Sequence, residues 1–248
     1  MKIAIVTPYH DPDSPYLTQC VDSVRNQTYA DFLHIMIGDG CNLHTAQSHA
    51  KLHNIALPHR LNNYGDSPRS IGVVYAFSIG ADAVMFLDSD NWYAPTHLET
   101  MVRVCKATQS DVVTSRRYLS HLNGSVLGIC PESDGIIFCD TNCFMITKKL
   151  AEEAAAWWLI PDDMHVIDDR FMWDILIHAT DKISSTNTAT VFYRTAFAFH
   201  YHMFNTTPPQ GTKPGTEIGV LGETINTLQQ RARQRTRAIK RDTDQNQG

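Results

Sequence analysis

Two aspartates separated by one serine, Asp88 and Asp90, close the stretch Ala83 to Asn91, AVMFLDSDN. Their hard, anionic oxygens can hold Mg²⁺ or Mn²⁺ and leave coordination positions open for phosphate oxygens, as carboxylate sites do with nucleotide diphosphates. An isolated Asp-x-Asp is usually a polar turn. What marks this one is the apolar run AVMFL before it, which reads as a buried strand delivering both acids to a sheet edge, where ligands of open α/β sheets bind. A third acid, Asp39, closes another strand-like run, LHIMIG from Leu33 to Gly38, while Arg69 opens a helix-like stretch and Tyr9 follows the first apolar run. Together these groups describe a nucleotide pocket: a ring to stack on a base, a carboxylate for a base N–H or ribose hydroxyl, an arginine for phosphate, a metal for the remaining charge. Singly, Asp39-Gly40 is a turn, Arg69 a surface cation and Tyr9 a half-buried ring.

The elements that must position these residues alternate. Ile3 to Thr7 reads as a strand broken by Pro8, and YHDPDSP as a loop before a helix over Tyr16 to Asn26. Leu33 to Gly38 is a strand, Asn42 can cap a helix running to about His53, and Ile55 to Leu57 is a short further element. Pro68 to Gly80 is a helix with proline in its first turn, and Thr96 to Thr108 carries Leu98, Met101, Val102 and Cys105 at helical spacing. Such alternation predicts a doubly wound sheet with right-handed crossovers. After Val112 to Ser115 the pattern weakens, and Arg116 to Phe138 reads as hairpins or irregular cover. A strand over Asn142 to Thr147, an alanine-rich helix over Lys148 to Trp158, a helix from Asp168 and a β-like run from Ala189 to His202 follow. Asp168 and Asp169 fall in a helix's first turn, where the dipole favours negative charge, with Phe171, Ile175 and Leu176 anchoring the helix.

The 248 residues suit one large domain or two small ones, and a globule of that size buries roughly 70 to 75% of its unfolded surface without staples. A net charge of −5 excludes a general nucleic-acid binder, whose phosphate contacts need a basic surface. Six cysteines without a C-x-x-C pair read as buried thiols, in keeping with a reducing cytoplasm, and no run is long and apolar enough for a membrane span or a signal peptide. TTPPQGTKPG has a linker's composition. Beyond it, Leu221 to Arg241 reads as a basic helix, with five arginines and one lysine between Arg231 and Arg241; a solvated or subunit-contacting face is the plain reading, and attraction to an anionic membrane the sharper one. Of the tryptophans, Trp92, Trp157, Trp158 and Trp173 could platform a sugar, though core is the commoner role. His49 and His53 read as solvated.

In IAIVTPYH, SVRNQTYADFLHIMIGDGCN, PRSIGVVYAFSIGADAVMFLDSDN and DDRFMWDIL, the chain resembles the family 2 glycosyltransferases of the GT-A fold, over roughly residues 2 to 205. The resemblance implies a single α/β GT-A domain, a Rossmann-like, mostly parallel sheet flanked by helices, with residues 1–115 as the nucleotide-sugar half and 116–205 as the acceptor half. A linker over 206–219 and a C-terminal helical extension over 220–248 complete it. The family's base and ribose contacts fall on Thr7, Pro8, Tyr9 and Asp39, its helix-opening arginine on Arg69, and its Asp-x-Asp on Asp88, nearer the ribose, and Asp90, the chief ligand of Mn²⁺ or Mg²⁺. Its later acidic pair falls on Asp168 and Asp169, the second being the general base. His200 and His202, two apart on one face of the predicted strand, stand where some GT-A enzymes add a metal ligand. GDGCN and PRS depart from the family's usual Asp-Asp-Gly-Ser and Arg-Asn. The implied activity is metal-dependent transfer of a sugar, with inversion, from a nucleotide donor, most readily UDP-linked, to a saccharide or other acceptor hydroxyl. Phosphoryl or nucleotidyl transfer and a non-catalytic sugar-nucleotide sensor are the alternatives.

Overall fold

The structure, a computed structural model, describes residues 1–44, 48–135 and 137–215. It opens with β1 (Ile3–Tyr9), α1 (Leu17–Arg25), β2 (Phe32–Gly38), β3 (Leu52–Ala56), α2 (Asp66–Ser78), β4 (Ala83–Phe86), β5 (Trp92–Tyr93) and α3 (His97–Thr108). The second half holds β6 (Val112–Ser120), β7 (Val126–Ile129), β8 (Phe144–Thr147), α4 (Ala151–Ala154), α5 (Asp168–Ala179), β9 (Ile183–Arg194) and α6 (Ala198–His202).

One sheet runs through the molecule in the order β3-β2-β1-β4-β8-β6-β9-β5, with β7 paired to the side of β6. Its first four strands are parallel, β8 is antiparallel to both β4 and β6, and β9 returns parallel to β6. Every residue of β1 and β4 is buried, which explains their unbroken apolar runs: helices cover both faces. Gly72 of α2 makes one such contact close; a Cβ there would lie 2.3 Å from Val6 Cγ1, so any side chain would push α2 off β1. Phe86 packs edge-on against the buried Trp157 at 5.0 Å, and each such large buried side chain contributes roughly 1.5–3 kcal/mol. Parallel pairing brings the carboxyl ends of β1, β2 and β4 to one edge, and the chain leaves that edge at Tyr9, Asp39 and Leu87-Asp88.

Several expectations needed correction. Pro8 does not break β1; it pairs with Ile37, and past Val6 the strand has a neighbour on one side only, where a missing N–H is tolerated. The described residues between Asn42 and His53 hold no helix, and His53 lies in β3 instead. His49 and His53 are half-buried rather than solvated, His53 bonding the Tyr75 hydroxyl at 3.1 Å. β6 continues past Ser115 to Ser120, and the stretch after it does form an expected hairpin, with β7 through the turn at Gly124. The helix expected over Lys148 to Trp158 is a four-residue helix between 3₁₀ turns, with Trp157 buried and Trp158 exposed. In α5 Met172 and Trp173 join Leu176 as fully buried residues, while Phe171 and Ile175 pack half-buried against the same core. The β-like run ends at Arg194, followed by α6, and residues 206–215 fold back on the domain instead of linking away from it. The C-terminal basic helix lies outside the described residues. Among the described residues all six cysteines are free and no helix is long and apolar enough to cross a membrane.

Candidate active site

At the strand ends opens a cleft of about 690 Å³, lined by acids from five separate stretches of chain: Asp11, Asp39, Asp88 with Asp90, Asp140, and Asp168 with Asp169. Arg69 organises them. It sits in the first turn of α2, 4% exposed, beside the Trp157 ring at 4.9 Å. Its Nη1 donates to Asp66 Oδ1 at 3.1 Å and Asp168 Oδ2 at 3.0 Å, and its Nη2 to Asp88 Oδ1 at 2.6 Å. Burial alone would lower its pKa, but the three carboxylates outweigh burial and hold the guanidinium firmly charged. Arg69 is therefore not a free phosphate ligand, as its place at a helix start suggested; it is the cation that gathers the acids.

The same network divides each acidic pair into a tethered and an untethered member. Asp88 has both oxygens engaged, Oδ1 by Arg69 and Oδ2 by Asn142 Nδ2 at 2.9 Å, while its amide donates to Asn142 Oδ1 at 2.7 Å. Among the described residues the Asp90 carboxylate has no ion pair and no hydrogen bond from any other residue, only its own backbone amide nearby, and it opens to solvent in the cleft. The protein crowding around the cleft floor, and then the Asp88 carboxylate, push its pKa up to about 7. Asp168 is bound to Arg69 through Oδ2, accepts from the Asp169 amide through Oδ1, and shares that guanidinium with Asp66. Burial raises Asp168 well above the carboxylate range and pushes Asp66 up to about 6, in each case against the pull of Arg69. Asp169 lines the cleft with no cation in ion-pair distance among the described residues; burial, then the Asp168 and Asp140 charges, raise its pKa well above the ordinary carboxylate value.

At the far end of the cleft Asp39 accepts from the backbone amides of Leu61 at 2.7 Å and Asn62 at 3.2 Å. This fixes a loop whose Asn62, Tyr64 and Gly65 all have positive φ. Each Asp39 oxygen keeps a lone pair for a ligand. Pro8 lines the cleft, packed on Gly65. Tyr9 also lines it but is only 2% exposed, with its hydroxyl turned to Asn54 Oδ1 at 2.7 Å, so it forms wall and not a projecting stacking platform. Thr7 does not reach the cleft: it is fully buried and bonds His34 Nε2 at 3.0 Å. His200 and His202 lie on α6, where a two-residue step turns about 200°, so the shared strand face does not exist. His200 is buried, its pKa pushed down to about 3 by burial and then by Arg117, and Nδ1 bonds Thr195 Oγ1 at 2.6 Å; His202 is exposed. Neither lines the main cleft with Asp88 and Asp90.

Comparison with known proteins gives this geometry a family. The family model described as Glycosyl transferase family 2 matches residues 4–128, just over half of the chain. The chain belongs to glycosyl transferase family 2. Glycosyltransferase GlyA of Streptococcus pneumoniae is 24% identical over 121 residues, 47% of this chain and 17% of that protein. The putative glycosyltransferase EpsH of Bacillus subtilis is 29% identical over 102 residues, 40% of this chain and 28% of that protein. The chain thus spans less than a third of either curated relative. Among solved structures, S. aureus TarS 1-349 superposes with a TM-score of 0.65 at 18% identity, covering 78% of this chain and 60% of that one. The TarS complex with UDP-GlcNAc gives the same score over 79% and 59%. At such identity the likeness speaks to the fold, which is that of these GT-A neighbours.

Within this family 2 domain several supporting residues escaped the sequence reading. Asn142 and Asp140 buttress the Asp88 turn: Asp140 accepts from the Asn142 amide at 3.0 Å and its side chain at 2.9 Å, and forms a buried ion pair with Arg117. The capping pattern Asp-x-Asn was a local signal for the first of these contacts. Arg194 holds the Asp88–Asn91 turn from the other side. Its side chain donates to the Asp90 carbonyl, its amide to Asn91 Oδ1 at 2.8 Å, and its guanidinium is sandwiched between the Trp92 and Tyr16 rings at 4.3 and 4.5 Å. His165 bonds Asp66 Oδ2 at 2.5 Å across 99 residues, a partnership no local pattern carries.

Proposed function

We propose that this domain moves a sugar from a nucleotide-sugar donor, UDP-linked, to an acceptor hydroxyl, with inversion and with help from Mn²⁺ or Mg²⁺. The observation that carries the reading is the pair of untethered carboxylates, Asp90 and Asp169, in one cleft at the strand ends while their neighbours are tied to Arg69. The neighbouring TarS structures in complex with UDP and with UDP-GlcNAc support the donor class. Asp90, with Asp88 beside it, is the donor set that fits a hard divalent cation: anionic oxygen ligands, one of them without a protein partner, in a place where negative charge is held at a cost. When bound, the metal would offset charge on the diphosphate.

The protein's own residues do the rest. Asp39 and the loop it pins receive the nucleoside end. Asp169 takes the proton of the acceptor hydroxyl as its oxygen bonds to the anomeric carbon; the bond from that carbon to the phosphate oxygen breaks, its electron pair leaving with the nucleoside diphosphate. The raised pKa of Asp169 makes it a stronger base once ionised. Asp88, held at both oxygens, is poorly placed to act as a nucleophile toward phosphate, which disfavours phosphoryl transfer. Thermal shift with UDP, GDP and dTDP, each with and without Mn²⁺, tests the donor: a ligand at 100 times its Kd adds about 2.7 kcal/mol. Stabilisation by UDP that depends on Mn²⁺ is expected; no response to any of the three overturns the donor reading. Transfer is then tested by release of UDP from UDP-sugars in the presence of saccharide acceptors.

A further inference from the structure

The segment after α6 brings a cation to the cleft that the donor site as described above does not use. It is pinned where it returns: the Thr206 amide donates to the Tyr201 carbonyl at 3.0 Å, the Lys213 amide to Ala196 O at 2.7 Å, and the Ala198 amide to Lys213 O at 2.8 Å. These last two bonds flank Phe197, with which Lys213 forms a parallel bridge. Gly215, at φ +70°, closes the strap onto Phe199; a Cβ there would lie 2.7 Å from the ring. The backbone of Lys213 is thereby fixed, and Lys213 and Phe197 both line the cleft.

Which end of the cleft it serves follows from its neighbours. Phe197 also lines a smaller pocket beside Asp140, Asp169 and Tyr193, so Lys213 stands at the transfer end. Arg60, packed on Gly40 next to Asp39, stands at the nucleoside end. Arg69 is committed to three carboxylates, whereas no carboxylate lies within ion-pair distance of Lys213 Nζ among the described residues. An exposed ammonium in a cleft this acidic, 5.8 Å from the Phe197 ring and carried on a pinned backbone, suits an anion that arrives from outside.

We propose that Lys213 binds the diphosphate of the donor and stabilises it as a leaving group. This rests on the donor reading above. When the bond from the anomeric carbon breaks, its electron pair passes to the bridging oxygen and the diphosphate gains one negative charge; the ammonium meets that charge without giving up a proton. Isothermal titration of wild type, Lys213→Met and Lys213→Arg with UDP and with uridine, all in Mn²⁺, tests it. Lys213→Met is expected to weaken UDP by about 10- to 100-fold, the loss of one charge-assisted hydrogen bond, leave uridine unchanged, and be largely restored by arginine. Equal UDP affinity in wild type and Lys213→Met overturns the assignment while leaving the donor reading intact. So does a parallel loss for uridine, which would mean a damaged strap. A wild type that binds no UDP removes both.

Discussion

Replacing Asp169 and Asp168 separately divides chemistry from scaffolding, and the structure fixes what each change should do. Asp168 accepts from Arg69 at 3.0 Å and from the Asp169 amide at 2.6 Å. Asparagine at 168 keeps a single acceptor, which can serve Arg69 or the Asp169 amide but not both, so Asp168→Asn should cost roughly 0.5–1.5 kcal/mol, one hydrogen bond. Asp168→Ala removes both bonds in a buried place and should cost about 1–3 kcal/mol. Asp169 has no cation to lose, so Asp169→Asn should fold at least as well as wild type and bind UDP equally, yet slow transfer by on the order of 100-fold or more. Initial rates of UDP release with acceptor, thermal melts and UDP titration on the three variants complete the comparison. Transfer by Asp169→Asn at the wild-type rate refutes the assignment of the base. A rate loss in Asp168→Asn as deep as in Asp169→Asn, with its stability intact, would show that the two acids had been given the wrong roles.

Outcomes at three other residues follow from the same contacts. Asp90→Asn should abolish the strengthening of UDP binding by Mn²⁺. In wild type, Mn²⁺ affinity should fall up to tenfold per unit as pH drops below about 7, because the metal must displace the proton that Asp90 holds there; calorimetry at pH 6 and 8 reads both. The metal-free protein should show the opposite dependence in its stability: the folded state binds this proton more tightly than the unfolded state, so the Asp90 contribution declines as pH rises from about 4 to about 7. Arg69→Met leaves Asp66, Asp88 and Asp168 without their common cation and should cost about 3–5 kcal/mol in urea unfolding. A loss under about 1 kcal/mol would mean that the carboxylates do not depend on it. Arg194→Lys removes the fork that grips the Asp90 carbonyl while keeping charge, and should weaken Mn²⁺-dependent UDP binding more than metal-free UDP binding.

How much of this was legible depended on whether the information was local. Apolar runs entering acids located β1, β2 and β4 and put Asp39, Asp88 and Asp90 at one edge, because burial on both faces writes itself into consecutive residues. Helix α5 was readable from its acidic first turn and apolar body. Where propensity met tertiary demand, the reading slipped. VFYRTAFAFHYH looks like one long strand by composition, but Arg194 is the last residue that pairs with β6, and the chain must then turn to cover the cleft. Asn42 could cap a helix, yet β2 had an open edge that His53 and its neighbours fill. The partners of Arg69 were unreadable for another reason. Asp88 and Asp168 lie 19 and 99 residues away, and nothing in a helix-opening arginine says that three carboxylates will converge on it.

That convergence explains why the acids come in pairs. A carboxylate that binds metal or takes a proton must keep its oxygens free, but a side chain with free oxygens has nothing in the protein to hold it. The chain meets both needs with adjacent residues. Asp88 is bound by Arg69 and Asn142, which fixes the backbone from which Asp90 projects, with Arg194 gripping that turn from the opposite side. Asp168 is bound by the same arginine, and its Oδ1 accepts from the Asp169 amide at 2.6 Å, so Asp169 is aimed through its own backbone while its side chain, about 100° further round the helix, stays unpaired. One guanidinium therefore sets the distance between the proposed metal ligand and the proposed base without touching either. Changes at Arg69 that preserve folding should accordingly disturb transfer more than donor binding, since what they relax is the relation between the two working acids.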